Sequence, residues 1–240
     1  MTPTSNHPAA PNLLRESSCI FFKDLMTEGR TWAMAGTAAL LSITVVTACA
    51  LAGSGAPRGG LAASAVWVSL AFAGVVAASG AYEREERDGT LVALLCGPVR
   101  AMALFIGKTG CIAMFTVLSA FIALLLASLL LHSGALVQAP LRSMALVLCG
   151  AVGFSLVGGL VAPLLGQGEG REAILALVLL PLGVPIVLSG AHATQALAES
   201  GPAAGAYWNG LGIVVGLDLL YLLLAMWMFE PLVRRGRVGE

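Results

Sequence analysis

The sequence predicts an all-α polytopic membrane protein with six transmembrane helices, and two observations support this prediction. First, six apolar runs each approach or exceed the ~20 residues that a helix needs to cross a ~30 Å hydrocarbon core. Second, 58% of the 240 residues are hydrophobic and 11% are charged, whereas a soluble domain carries about 25% charged residues. The six runs are 32–52, 61–82, 102–131, 141–165, 173–190 and 207–229.

The basic residues predict how the chain is inserted. When the N-terminus and every second loop are assigned to one side, that side holds all of the 13 Lys and Arg residues except Arg58 and Arg142. Short loops rich in Lys and Arg remain cytoplasmic. We therefore expect both termini in the cytoplasm. The basic residues are spread singly among acids, which argues against nucleic-acid binding.

The regions outside the apolar runs divide the chain further. Residues 1–12 are Pro-rich and uncharged, and we predict a disordered tail. Residues 13–30 predict an amphipathic helix in the membrane interface, with an ordinary cytoplasmic flank as the alternative. Its expected apolar face comprises Leu14, Phe21, Phe22, Leu25 and Met26. Residues 31–230 form the six-helix domain, and residues 231–240 are expected to form a basic cytoplasmic tail.

The sequence offers no catalytic site. Gly107-Lys108-Thr109 resembles the end of a phosphate-binding loop, but the required earlier glycine is replaced by Met102. The three histidines lie far apart in the sequence, so no metal-ligand spacing is formed. We expect a protein without its own ATP-binding motif, without a metal site and without enzymatic activity.

The inner loop at 83–100 is the strongest functional prediction. Charged residues extend the second span, Gly89 breaks that helix, and Thr90 can cap a short helix with an apolar face. Such a helix is suited to dock into a partner, although a solvated linker is an equal alternative. The predicted coupling residues are Glu83, Arg84, Glu85, Glu86, Arg87, Gly89, Thr90, Leu91, Leu94, Leu95 and Pro98.

The later spans carry unusual residues for a lipid-facing helix. Asp218 lies near the centre of the sixth span, where a carboxylate usually faces a bundle interior, a cavity or a partner. We expect an inter-helix or inter-subunit contact, with Tyr221 as a hydrogen-bond partner. A protonated acid bonded to backbone carbonyls is the alternative. Gly212 and Gly216 have the G-x-x-x-G spacing that favours close helix packing.

Several motifs together resemble one family. They are Glu85-x-x-x-Gly89-Thr90-Leu91, Leu94-Leu95-x-x-Pro98-Val99, Gly107-Lys108, Phe22-Lys23-Asp24-Leu25, Gly170-Arg171-Glu172, Pro181-Leu182-x-x-Pro185 and Ala193-Thr194-Gln195. This combination resembles haem exporter protein B, the membrane subunit of the cytochrome c maturation ABC transporter. The loop pattern alone is shared with other ABC-2-type permeases. The resemblance covers nearly the whole chain beyond the tail.

The resemblance implies a function and a set of partners. Segment 83–100 would couple to a separate ABC ATPase subunit that binds ATP, and residues 13–30 would form the elbow helix. A second copy of the chain, a haem-handling membrane subunit and a haem chaperone would complete a complex in the bacterial inner membrane. ATP hydrolysis would release the haem-loaded chaperone or export haem.

Haem is therefore expected as a substrate of the complex, and no cofactor is assigned to this chain. His192 is expected in an external connection at 191–206, as a solvated loop histidine. The alternative functions are an ABC-2-type permease for a drug, lipid or polysaccharide, a passive scaffold, and an ATPase-independent secondary transporter.

Overall fold

The computed structural model describes residues 13–31, 33–53, 58–87, 101–131, 139–165, 170–200 and 205–236. Within these ranges the chain forms seven α-helices, one 3₁₀ turn at Ala162–Leu164, and no strand. The helices are α1 (Leu13–Thr31), α2 (Ala33–Ala52), α3 (Arg58–Arg87), α4 (Ala101–Leu130), α5 (Pro140–Val161), α6 (Arg171–Ser200) and α7 (Gly205–Gly236). The predicted tail at 1–12 lies outside the described residues.

Six of these helices, α2 to α7, are long and apolar enough to cross a membrane, which confirms the six-span all-α prediction. The candidate spans are Met34–Ala52, Gly59–Glu83, Met102–Leu130, Pro140–Leu164, Arg171–Glu199 and Gly205–Met228. The remaining helix, α1, is amphipathic and carries charges along its length. An even number of spans returns the chain to the side on which α2 began.

Helices α3 and α5 form the centre of the bundle, and α2 and α7 lie at its edge. Two thirds of the apolar stretch is buried in α3 and in α5, compared with 17% in α2 and in α7. The centre depends on glycines that face large aromatic rings. A Cβ at Gly150 or Gly190 would lie 2.3 or 2.1 Å from the ring of Trp67, so these positions allow α5 and α6 to approach α3 closely. Trp67 Nε1 also donates to Thr194 Oγ1 at 2.8 Å.

Helix α6 corrects one sequence-based expectation. The external connection was expected to begin at residue 191, but α6 continues to Ser200. His192 is therefore an exposed helical residue, not a loop residue. The helix persists because Thr194 hydrogen-bonds across to α3 and Leu197 is fully buried, so packing holds this turn. Pro181 and Pro185 both lie inside the helix without ending it.

Other boundaries also differ from the expectation. Arg58, expected in the first outer loop, is the first residue of α3. Helix α7 runs to Gly236 and so enters the segment that was expected to be a basic tail.

The turn between α5 and α6 is held by Arg171. Its Nη2 donates to Ala162 O at 3.0 Å and its Nε donates to Leu165 O at 3.3 Å. Ala162 lies in the 3₁₀ turn that follows α5 and Leu165 comes directly after it, so the guanidinium ties the end of α5 to the first residue of α6. Gly170 has φ +85°, a conformation that favours glycine. The Gly170-Arg171-Glu172 element is therefore a cap that joins two spans.

Candidate coupling site and intramembrane polar site

The predicted coupling segment begins on α3. This helix continues without a break from the span Gly59–Glu83 to Arg87. Glu83 is half-buried, and α4 begins at Ala101. The side chains of Arg84, Glu85, Glu86 and Arg87, and all of Gly89, Thr90, Leu91, Leu94, Leu95 and Pro98, lie outside what the structure describes. The structure therefore positions the two helices that flank segment 83–100, and the role of the segment stays a prediction.

A buried ion pair lies beside these flanking helix ends, and we call it the Lys108 cluster: Lys108, Asp24, Ala81 and Tyr82. Lys108 is 1% exposed, and its Nζ lies 2.9 Å from Asp24 Oδ2 on α1. The same Nζ donates to Ala81 O on α3 at 2.6 Å and lies 5.5 Å from the centroid of the Tyr82 ring. The ammonium thus has a carboxylate, a carbonyl and an aromatic face around it, which compensates for its removal from water.

The Lys108 cluster also reaches α5. Tyr82 is fully buried, and its hydroxyl donates to Gly159 O at 3.2 Å. Gly159 is itself a close-packing position, because a Cβ there would lie 2.3 Å from Thr109 Oγ1. Four helices, α1, α3, α4 and α5, are therefore joined at this end of the bundle by groups that all connect to Lys108.

Glycines next to Lys108 form the surface on which α1 packs. A Cβ at Gly107 would lie 2.9 Å from Ile20 Cβ and 3.0 Å from Ser17 O, and one at Gly110 would lie 3.3 Å from the Phe21 ring. The absence of side chains at these two positions lets α1 lie directly against α4. The Gly107-Lys108-Thr109 string, which resembles a phosphate-binding loop, is thus part of a helix-packing surface.

The faces of α1 differ from the sequence prediction. The five apolar residues were expected to share one face, but Phe21 and Leu25 pack toward the core. Leu14, Phe22 and Met26 point outward and are 75%, 56% and 71% exposed. Polar groups take their place on the inner face because they find partners there: Asp24 pairs with Lys108, and Glu28 Oε1 accepts from Met34 N at 2.5 Å. The Glu28 carboxylate thereby caps the start of α2.

Asp218 lies where α5, α6 and α7 meet. A Cβ at Gly153 of α5 would lie 2.2 Å from Asp218 Oδ1 and 2.7 Å from Ile186 Cδ1 of α6. The carboxyl group therefore occupies the space that a side chain at position 153 would need. Oδ1 is buried and has no hydrogen-bond partner among the described residues.

The expected partner of Asp218 was wrong. The hydroxyl of Tyr221 donates to Leu182 O on α6 at 2.6 Å instead of to the carboxylate one turn earlier. Tyr221 is 8% exposed and packs against α6, where the Leu182 carbonyl lies within hydrogen-bond distance of its hydroxyl. Gly212 and Gly216 contact no other part of the described chain, since a Cβ at either position would have nothing within 4 Å. The described helices leave this side of α7 open.

Arg142 is a further polar group within a span, and its contacts with other helices were not predicted from the sequence. Its guanidinium carbon lies 5.7 Å from the ring centroid of Tyr207 and 5.4 Å from that of Trp208. This arrangement is a cation–π contact between the start of α5 and the start of α7. No three His, Cys, Asp or Glu side chains cluster within the described ranges.

Sequence reasoning missed the partnership of Lys108 with Asp24, although a signal was present. A lysine inside an apolar run of this length requires a counter-charge. The nearest amphipathic helix carries its acids on one side, Asp24 and Glu28 being four residues apart and so on one face. Pairing a buried cation with the acidic face of α1 would have predicted the contact.

Comparison of the sequence with known protein families finds a match over nearly the whole chain. A family model described as CcmB protein matches residues 15–235, which include every described helix except the ends of α1 and α7. No curated protein matches the chain, and neither does any solved structure.

Proposed function

Since the chain belongs to the CcmB protein family, the membrane subunits of the cytochrome c maturation haem exporter, we propose that it couples ATP hydrolysis on a separate ATPase subunit to work by that exporter. The ATPase docks at segment 83–100, and the resulting rearrangement of the six spans releases the haem-loaded chaperone on the opposite side. The chain is a multi-pass membrane protein. We propose the bacterial inner membrane as its location, with both termini in the cytoplasm.

One observation carries the coupling role. Helix α3 extends from the centre of the bundle through the charged run that begins segment 83–100, without an intervening loop. A force applied at Arg87 would therefore be transmitted along a continuous helix to the apolar stretch of α3, two thirds of which is buried in the bundle. A solvated linker between two spans would have no need of such a continuous connection.

The edge of the bundle supports the proposal of further subunits. Helix α7 is largely uncovered, and Gly212 and Gly216 lie on its open side. Small residues on an uncovered span allow another helix to approach closely. We propose that a second copy of the chain and the haem-handling subunit pack on the uncovered spans, where lipid otherwise fills the surface. Haem is then a cargo of the complex, and ATP binds only to the partner.

The experiment is co-purification of the tagged chain with its candidate ATPase. The test variant carries Glu85→Ala, Leu91→Asp and Leu94→Asp. The matched control carries Glu199→Ala, at the far end of α6, where the exposed carboxylate accepts from Gln195 Nε2 at 2.8 Å. Membrane insertion is confirmed for all three proteins.

We expect the wild type and the control to retain the ATPase and the test variant to lose it. Retention by the test variant would show that docking lies elsewhere and that segment 83–100 is a linker. Absence of the ATPase from every sample would favour a scaffold or a secondary transporter.

A further inference from the structure

Lys108 connects α1 to the two helices that flank segment 83–100. It lies on α4, which follows the segment, and it donates to Ala81 O on α3, just before the segment begins. On the other side it pairs with Asp24 of α1 at 2.9 Å. A single ammonium group therefore links the elements on both sides of the proposed docking segment to a helix that lies outside the six spans.

Packing alone does not require a charge at this position. Replacing a buried ion pair by apolar residues of similar volume is commonly neutral or stabilising. The pair at 24 and 108 is instead specific, because an acid at position 24 places a counter-charge 2.9 Å from the buried ammonium. It thus fixes the position of α1 relative to α3 and α4, in addition to the contacts at Gly107 and Gly110.

We propose that Lys108 is the positioning residue that makes α1 move together with segment 83–100 when the ATPase acts. This rests on the proposed function, because it assumes that an ATPase displaces the segment. The ends of α3 and α4 and the inner face of α1 then form one unit, and breaking the ion pair releases α1 while the docking segment stays intact. The outer face of α1, with Leu14, Phe22 and Met26 exposed, would carry that movement to the membrane surface.

Lys23 provides the matched control. Its Nζ lies 3.1 Å from Asp24 Oδ1, so it also contacts the same carboxylate, but its side chain is 54% exposed. An exposed ion pair contributes little because water screens both charges. Removal of Lys23 therefore changes the charge near Asp24 and leaves the buried connection to α3 and α4 in place.

The test uses a reporter cysteine on the buried face of α1. Ser17 is 6% exposed and its carbonyl lies against Gly107, so Ser17→Cys is shielded while α1 is seated. The reporter is placed in a chain whose five native cysteines are replaced by alanine. This chain is compared with Lys108→Met, Asp24→Lys, the conservative variant Asp24→Glu, and Lys23→Ala. Each is assayed for thiol-labelling rate, for ATPase capture and for cytochrome c maturation in cells.

We expect Lys108→Met and Asp24→Lys to label at least about tenfold faster, because each removes the buried ion pair that seats α1 on α4. Both should still capture the ATPase and should fail to mature cytochrome c. Asp24→Glu should keep slow labelling and maturation, because a carboxylate still faces Lys108, and Lys23→Ala should match the parent chain.

The remaining outcomes overturn the proposal in distinct ways. Slow labelling in Lys108→Met would mean that the ion pair does not hold α1. Fast labelling with normal maturation would reduce the pair to a local packing contact. Loss of ATPase capture in Lys108→Met, or fast labelling in Asp24→Glu, would also contradict the proposal. By contrast, a parent chain that captures no ATPase would refute the proposed function itself.

Discussion

Lys108 and Asp218 are ionisable side chains within spans, and the structure surrounds them in opposite ways. Lys108 has a carboxylate, a carbonyl and an aromatic ring within contact distance. Asp218 lies against a glycine and an isoleucine, and its Oδ1 has no hydrogen-bond partner among the described residues. A fully compensated charge fixes helices in place, whereas an uncompensated carboxyl is costly to keep. The difference indicates a positioning role for Lys108, whereas the described residues leave Oδ1 of Asp218 without a partner.

The largest expected effect comes from breaking the compensated pair. Lys108→Met should lower the free energy of unfolding in detergent by about 3–5 kcal/mol, because Asp24 and Ala81 O lose their buried partner. Thermal or denaturant unfolding of the purified chain measures this change. A loss below about 1 kcal/mol would mean that water replaces the ammonium and that the pair is not buried in solution.

The next effect tests the space that Asp218 occupies. Gly153→Ala should destabilise the chain by about 1–3 kcal/mol, because the new methyl group would overlap the carboxyl oxygen and Ile186. Gly212→Ala is the matched control and should change the free energy of unfolding by less than about 0.5 kcal/mol, since that position is open. In the Asp218→Ala background the cost of Gly153→Ala should shrink. Equal costs in both backgrounds would show that residue 153 does not contact the carboxyl group.

Removal of the uncompensated carboxyl should have the opposite sign. Asp218→Leu should leave the free energy of unfolding unchanged or raise it by up to about 2 kcal/mol, because an unpartnered polar group is removed from an apolar site. We expect the same variant to reduce association between two differently tagged copies and to reduce cytochrome c maturation. Asp218→Asn keeps the shape of the side chain and separates the effect of charge from that of volume. Normal assembly and maturation in Asp218→Leu would contradict a contact role for the carboxyl group.

The smallest effect concerns the exposed partner of Asp24. Lys23→Ala should lower the free energy of unfolding by less than about 1 kcal/mol, because its side chain is 54% exposed. The measurement is the same unfolding experiment, performed beside Lys108→Met. Comparable losses for the two lysines would remove the distinction between a buried and an exposed ion pair at one carboxylate.

The spans show which features of the fold can be predicted from local sequence patterns. The six apolar runs correspond to six helices because the apolar length needed to cross a bilayer is a property of each segment alone. The end of α6 was not predictable in the same way. Residues 191–200 are mixed in polarity, and they remain helical through contacts such as Trp67 to Thr194, which join positions 127 residues apart.

The candidate sites show the same difference between features of single segments, which the sequence predicts, and contacts between helices, which it does not. The charge density of 83–100 and the position of Asp218 in a span are visible in the sequence. The hydrogen-bond partner of Tyr221 could not be predicted from the sequence, because the acceptor, Leu182 O, lies on another helix. Likewise, the G-x-x-x-G spacing at Gly212 and Gly216 predicts close packing, but only the arrangement of the spans shows that none of the described helices packs against these two positions.

The class of the protein was predictable from the amino-acid sequence: its six spans, and the family resemblance that the match over 15–235 confirms. These properties depend on composition and spacing within short segments. The tertiary structure decided which polar groups are paired, which glycines are contact points and which face of α1 is buried. Those outcomes depend on distances between helices, and a buried charge takes its partner from whichever helix the packing brings within reach.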